Sequence, residues 1–150
     1  MDTSATNGEG DNAFHIACSN GHVDVVKFLL SIHEKKKIRI HALNGKGDNA
    51  FNQACSNGHV EVVKVLIEQS EFNDIKLNII NKKGENAFHQ ACSNAQTEIV
   101  RLLLKQSKAK KIDLNSTNFQ GESAFDLACS EGHIDVIRIL LDNSDLMSID

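Results

Sequence analysis

Residues 12–30 read NAFHIACSNGHVDVVKFLL. The phrase returns at 49–67 (NAFNQACSNGHVEVVKVLI), 86–104 (NAFHQACSNAQTEIVRLLL) and 123–141 (SAFDLACSEGHIDVIRILL). The cysteines Cys18, Cys55, Cys92 and Cys129 therefore fall 37 residues apart. Agreement of this extent at a fixed period marks a tandem array. One such unit is too small to bury its own apolar face and must stack on its neighbours.

Each unit reads as two helices. Asn12, Asn49, Asn86 and Ser123 are residue types that accept hydrogen bonds from the free N–H groups of a helix's first turn. Phe14, Ala17 and Cys18 follow at i, i+3, i+4 spacing and share one face. Asn20-Gly21 and Asn57-Gly58 stop that helix, since glycine tolerates a left-handed backbone. A second helix is predicted from Val23, Val60, Thr97 and Ile134. Its first turn carries an acid (Asp24, Glu61, Glu98, Asp135), with a base three residues later (Lys27, Lys64, Arg101, Arg138). Ion pairs at that spacing are expected to add a few tenths of a kcal/mol each.

Composition bounds the function. The chain has 150 residues, 41% of them hydrophobic and 24% charged, which fits one soluble globular domain rather than a disordered chain. No apolar run approaches the length of a membrane span, and Met1-Asp2-Thr3-Ser4 lacks the regions of a secretory signal. A net charge of -4 opposes general nucleic-acid binding.

The quoted residues resemble the ankyrin repeat over nearly the whole chain. Gly10, Gly47, Gly84 and Gly121 take the place of its turn glycine, and Asn7, Asn44, Asn81 and Asn118 that of the Asp opening the turn. Gly21-His22, Gly58-His59 and Gly132-His133 match its inter-helix turn. The resemblance implies a single all-α solenoid domain over residues 1–150, with approximate units 7–43, 44–80, 81–117 and 118–150. Its helix-turn-helix units would be joined by extended turns or short β-hairpins. Three departures stand out. Asn-Ala or Ser-Ala replaces the family's Thr-Pro, Ala95-Gln96 replaces Gly-His and predicts a strained or altered turn, and the period exceeds the family's 33 residues. The four extra residues are placed at Glu34–Lys37, Glu71–Asp74 and Lys108–Lys111 and read as surface loops.

The chemistry-bearing residues read mainly as scaffold. Equivalent positions on stacked helices lie about 8–10 Å apart, too far for a disulfide or a shared zinc. All four cysteines are therefore expected to be small, buried, reduced packing residues, which places the protein inside the cell, in the cytoplasm. His15 and His89 sit three residues before a cysteine, but no orienting group or oxyanion site accompanies them. The resemblance gives this His a hydrogen-bonding role in the local turn, with Asn52 and Asp126 as substitutes. Gly8-Glu9-Gly10 and Gly45-Lys46-Gly47 lack the spacing of a phosphate loop. Gln53 and Gln90 stand where the outer units have Ile16 and Leu127, and they either pair with each other or remain partly exposed. The basic clusters Lys35–Lys37 with Arg39, and Lys105, Lys108, Lys110 and Lys111, read as solvated loops, with an acidic partner as the alternative.

The implied function is a non-enzymatic protein-interaction scaffold without a cofactor, binding a protein partner rather than nucleic acid or membrane. The alternative is a recognition or adaptor module, or a host-targeting effector, whose activity lies outside this chain. By the resemblance, partners dock on the concave face of turn tips and first helices. The expected contacts are Lys46, Asp48, Asn57, Lys83, Glu85, Asn94, Phe119, Gln120 and Glu131. Phe119 is an aromatic whose counterparts are Gly8, Gly45 and Lys82, and it serves either as an anchor or as packing against the adjacent loop. The fourth unit is as apolar as the inner ones, which leaves three options for that end: further repeats, a fold-back of Leu146, Met147 and Ile149, or self-association.

Overall fold

The computed structural model describes residues 2–148. It contains four helix pairs: α1 (Ala13–Ser19) with α2 (Val23–Lys36), α3 (Ala50–Ser56) with α4 (Val60–Glu68), α5 (Ala87–Ser93) with α6 (Thr97–Lys110), and α7 (Ala124–Ser130) with α8 (Ile134–Asp142). A 3₁₀ turn at Ser144–Leu146 follows. First helices pack on first helices and second on second, so the pairs form a linear stack. One continuous core runs through it, centred on the buried Phe14, Phe51 and Phe88.

The caps form as the sequence predicts. Asn12, Asn49, Asn86 and Ser123 each accept from a main-chain N–H of the following first turn. The three Asn caps also do something Thr cannot. Their amide groups donate to the carbonyls of Arg39 (2.7 Å), Lys76 (2.8 Å) and Asp113 (2.9 Å), tying each first helix to the chain leaving its own second helix.

The extra residues are not simply loops. Glu34–Lys36 and Lys108–Lys110 are the last turn of α2 and α6. Lys37, Asp74 and Lys111 take left-handed backbone (φ 53°, 53° and 52°), and the next N–H reaches back five residues, as in Ile38 to His33 (2.9 Å). Ile38, Ile40, Ile75, Leu77, Ile112 and Leu114 then bury their side chains and pin the connection to the core.

No strand forms among the described residues, so the expected hairpins are closed turns instead. In each, the opening Asn accepts two main-chain N–H groups with Oδ1, as Asn44 does from Lys46 and Asp48 (3.0 Å each). Neighbouring tips share one main-chain bond, Gly45 to Glu9 (2.8 Å), Lys82 to Lys46 (2.9 Å) and Phe119 to Lys83 (2.9 Å), which is too little for a ladder. The turn at Ala95 keeps the shape of its glycine counterparts, with φ 56° against 73° at Gly21, so it is strained rather than reshaped. Of the four acid–base pairs expected on the second helices, Glu61–Lys64 alone closes among the described residues (2.9 Å).

Cys18, Cys55 and Cys92 are buried, but Cys129, in the last of the four first helices, is exposed. The described part of the tail does not cover it. Met147 is buried and Leu146 packs beside the last pair, with Ser148 N donating to Asn115 Oδ1 (2.7 Å), yet Ile134 and Leu141 stay exposed. Ile149 lies outside the described residues.

Candidate partner-binding surface

Local turn chemistry decides which tip side chains are free. Asp11 and Asp48 hold equivalent positions just before the first helices, and both are buried. Asp11 Oδ1 accepts from Gln53 Nε2 (2.9 Å) and Asn44 Nδ2 (2.9 Å), while Asp48 Oδ1 accepts from Gln90 Nε2 (2.7 Å). Gln53 and Gln90 therefore do not pair with each other. Each reaches back to the carboxylate of the unit before it. Asp48, expected as a partner contact, is consumed by this strap and presents no carboxylate outward.

The third junction breaks the pattern. Leu127 stands where the Gln would be and Glu85 where the Asp would be, so the half-buried Glu85 carboxylate has no hydrogen-bond donor among the described residues. A cleft of about 500 Å³ opens there. Lys83, Glu85, Phe119, Gln120 and Glu131 line it together with Leu127, which brings five of the nine expected contacts to one place. Phe119 is 71% exposed. Its ring also lies on Gly84, where an added Cβ would come within 2.7 Å of the ring. The ring thus packs on Gly84 and leaves its outer face in water.

The other expected contacts stand apart from the cleft. Lys46 is an exposed tip residue one unit earlier. Asn57 and Asn94 are exposed, but their amides are engaged, Asn57 across the stack to Ser19 Oγ (2.9 Å) and carbonyl (3.1 Å), and Asn94 to the Gln90 carbonyl of its own helix (2.8 Å) and across the stack to Ser56 Oγ (3.3 Å).

The histidines and thiols are bound into the scaffold. His15 Nδ1 lies 2.9 Å from Asn12 Oδ1 and 3.4 Å from the Asn12 N–H, and its Nε2 3.3 Å from the Asp48 carbonyl, so both nitrogens face groups of the scaffold. His89 repeats the first contact with Asn86 (2.8 Å), while its buried Nε2 has no hydrogen-bond partner among the described residues. Burial holds both imidazoles below the usual histidine range, against the pull of Asp11 and Asp48 on one and Glu85 and Asp113 on the other. Burial also pushes the Cys18 thiol up to about 12 and raises Cys55 and Cys92, which keeps all three protonated at neutral pH.

Two features on the second-helix side escaped the sequence reading. Phe72 is 89% exposed beside a cleft of about 380 Å³ that Lys27 and Gln69 also line. Its signal was available, since its counterparts in the adjoining units are Lys35 and Ala109. Arg101, Lys105 and Lys108 line a second cleft of about 390 Å³ between α6 and α8. Those lysines are helical groove residues rather than loop residues, and Lys110 is paired with Glu71 (2.9 Å).

A family model described as ankyrin repeats (3 copies) matches residues 1–79 and residues 71–150. No curated protein matches the chain.

Proposed function

The chain belongs to the ankyrin-repeat family, whose members are generally protein–protein interaction modules, and we propose that this one is a non-enzymatic scaffold. Its partner docks on the concave side, at the cleft between the third and fourth turn tips. The observation that carries this reading is the broken strap. Where the first two junctions fill the space with a Gln–Asp bond, the third leaves the Glu85 carboxylate unpaired beside Leu127 and the outer face of Phe119. An aromatic and a free charge over an apolar patch supply the parts of an interface hot spot. The four units, 7–43, 44–80, 81–117 and 118–150, act as one domain. Thiols kept protonated by burial suit a reducing compartment, the cytoplasm.

The test is site-specific photo-cross-linking. A benzoylphenylalanine at position 119 should trap a partner that the same group at position 108, on the second-helix side, does not. Phe119→Ala and Lys83→Glu should each weaken binding of that partner about tenfold or more, equivalent to about 1.4 kcal/mol, with no change in thermal midpoint. Equal trapping from both positions, or unaltered affinity in both variants, would place binding elsewhere.

A further inference from the structure

The two ends of the stack carry opposite halves of a single interface, the one that already joins the units. Within the stack, Val62, Ile99 and Val136 on the second helices are buried by the preceding unit, all at 1% exposure or less. The first unit's counterpart, Val25, is 47% exposed, and Phe28, matching the buried Val65 and Ile139 and the half-buried Leu102, is 61% exposed. The opposite end shows the reverse. Leu30, Ile67 and Leu104 are buried by the following unit, whereas Leu141 is 49% exposed, and Cys129 is exposed where its three counterparts are buried.

The polar groups are left over in the same register. His59, Gln96 and His133 donate through Nε2 to the carbonyls of Ser19, Ser56 and Ser93 (2.7, 2.9 and 2.8 Å). His22 begins this series of donors and Ser130 ends the series of acceptors, and neither makes the bond among the described residues. The tip bonds behave likewise. Gly8 N and Gln120 O are the next donor and acceptor in the series Gly45–Glu9, Lys82–Lys46 and Phe119–Lys83, and both are unused among the described residues.

We propose that a second copy of this chain covers each end, head to tail, by repeating the unit–unit junction. The first pair of one copy sits on the fourth pair of another, with Val25 and Phe28 against the face of Cys129 and Leu141. His22 then donates to the Ser130 carbonyl, and Gly8 N to Gln120 O. Such an interface is heterologous: each copy offers one donor end and one acceptor end, so association continues into open chains rather than stopping at a symmetric pair. The tail at Ser144–Leu146 lies beside the last pair and leaves the acceptor face uncovered. Two of its acceptors, the main-chain carbonyls of Gln120 and Ser130, belong to residues that line the concave cleft, but its test residues, Phe28 and Leu141, lie outside that cleft, so its failure is distinguishable from failure of the partner reading.

Sedimentation of the 150-residue chain across a wide concentration range tests it. The weight-average mass should rise from the 16.5 kDa of one chain to at least twice that value. Phe28→Glu blocks every donor end and Leu141→Glu every acceptor end, so each variant alone should remain a single chain. Both side chains are already exposed, and an unchanged circular dichroism spectrum and thermal midpoint will confirm folding. Mixed in equal amounts, the two variants retain one good end each and should form a pair that grows no further. A wild-type monomer at every concentration would overturn the proposal, as would a Phe28→Glu variant that still dimerises or a mixture that stays monomeric. A foreign protein as the only occupant of these ends gives the first of those outcomes.

Discussion

Gln90 donates through Nε2 to Asp48 Oδ1 at 2.7 Å, across 42 residues of sequence and with both residues buried. The equivalent Gln53–Asp11 bond (2.9 Å) is only part-buried, and Asp11 Oδ1 also accepts from Asn44 (2.9 Å), whereas the second donor to Asp48 is the distant Asn52 (3.4 Å). Removing the only close donor to a buried carboxylate is the more damaging change. Gln90→Leu should therefore lower unfolding free energy by about 1.5–3 kcal/mol, and Gln53→Leu by about 0.5–1.5 kcal/mol. Urea midpoints at constant slope will rank them, and equal losses would mean that the second donor to Asp11 contributes nothing.

Acid should weaken the fold through His15 and His89. Burial lowers both imidazoles below the 6.5 of an unperturbed group, so the unfolded chain binds protons that the native chain resists. Where the unfolded state holds more protons, stability rises with pH. The contribution is complete above pH 6.5 or so, declines as pH falls through the unfolded-state value of about 6.5, and levels off below the native one. A double variant, His15→Asn with His89→Asn, copies what Asn52 does in the second unit. Its thermal midpoint should fall less between pH 7 and 5 than that of the wild type, and parallel curves would exonerate the two rings.

Ala95 occupies a left-handed backbone position that glycine fills in the other three units. A Cβ there is strained by about 1–2 kcal/mol, and the greater freedom of an unfolded glycine offsets about 0.4–1 kcal/mol of the relief. Ala95→Gly should leave a net gain near 0.5–1 kcal/mol, a rise of about 2 °C in thermal midpoint. The reverse change, Gly58→Ala, should be destabilising, because its Cβ would run into the Gln96 side-chain amide.

The sequence made the architecture legible because the information sits in repetition. A cap, a Phe, an Ala-Cys pair and a glycine recur at one interval, and local rules suffice to turn each recurrence into a helix pair. What stayed hidden depends on which neighbour a side chain meets. The role of Gln90 required knowing that the tip of one unit lies beside the first helix of the next, which places Asp48 rather than Gln53 within reach. Asp48 looked like an exposed tip acid for the same reason. Cys129 shares its local sequence with the three buried thiols and differs in standing in the last of the four units described, a position its own flanking residues do not encode. Phe119 and Phe72 were readable as odd members of their columns, but only the structure separates the aromatic seated on Gly84 from the one beside the second-helix cleft.

The bond that sets one turn tip against the next joins main-chain atoms alone, as from Lys82 N to Lys46 O and from Phe119 N to Lys83 O. Lys82 and Phe119 therefore keep the bond with quite different side chains, and a Cβ at Gly8 would meet open space, whereas one at Gly45 would come within 2.8 Å of the Glu9 carbonyl oxygen. The outer surface of the stack can thus change at three of these four tips while the carrier beneath stays the same, and the second tip alone is held to glycine.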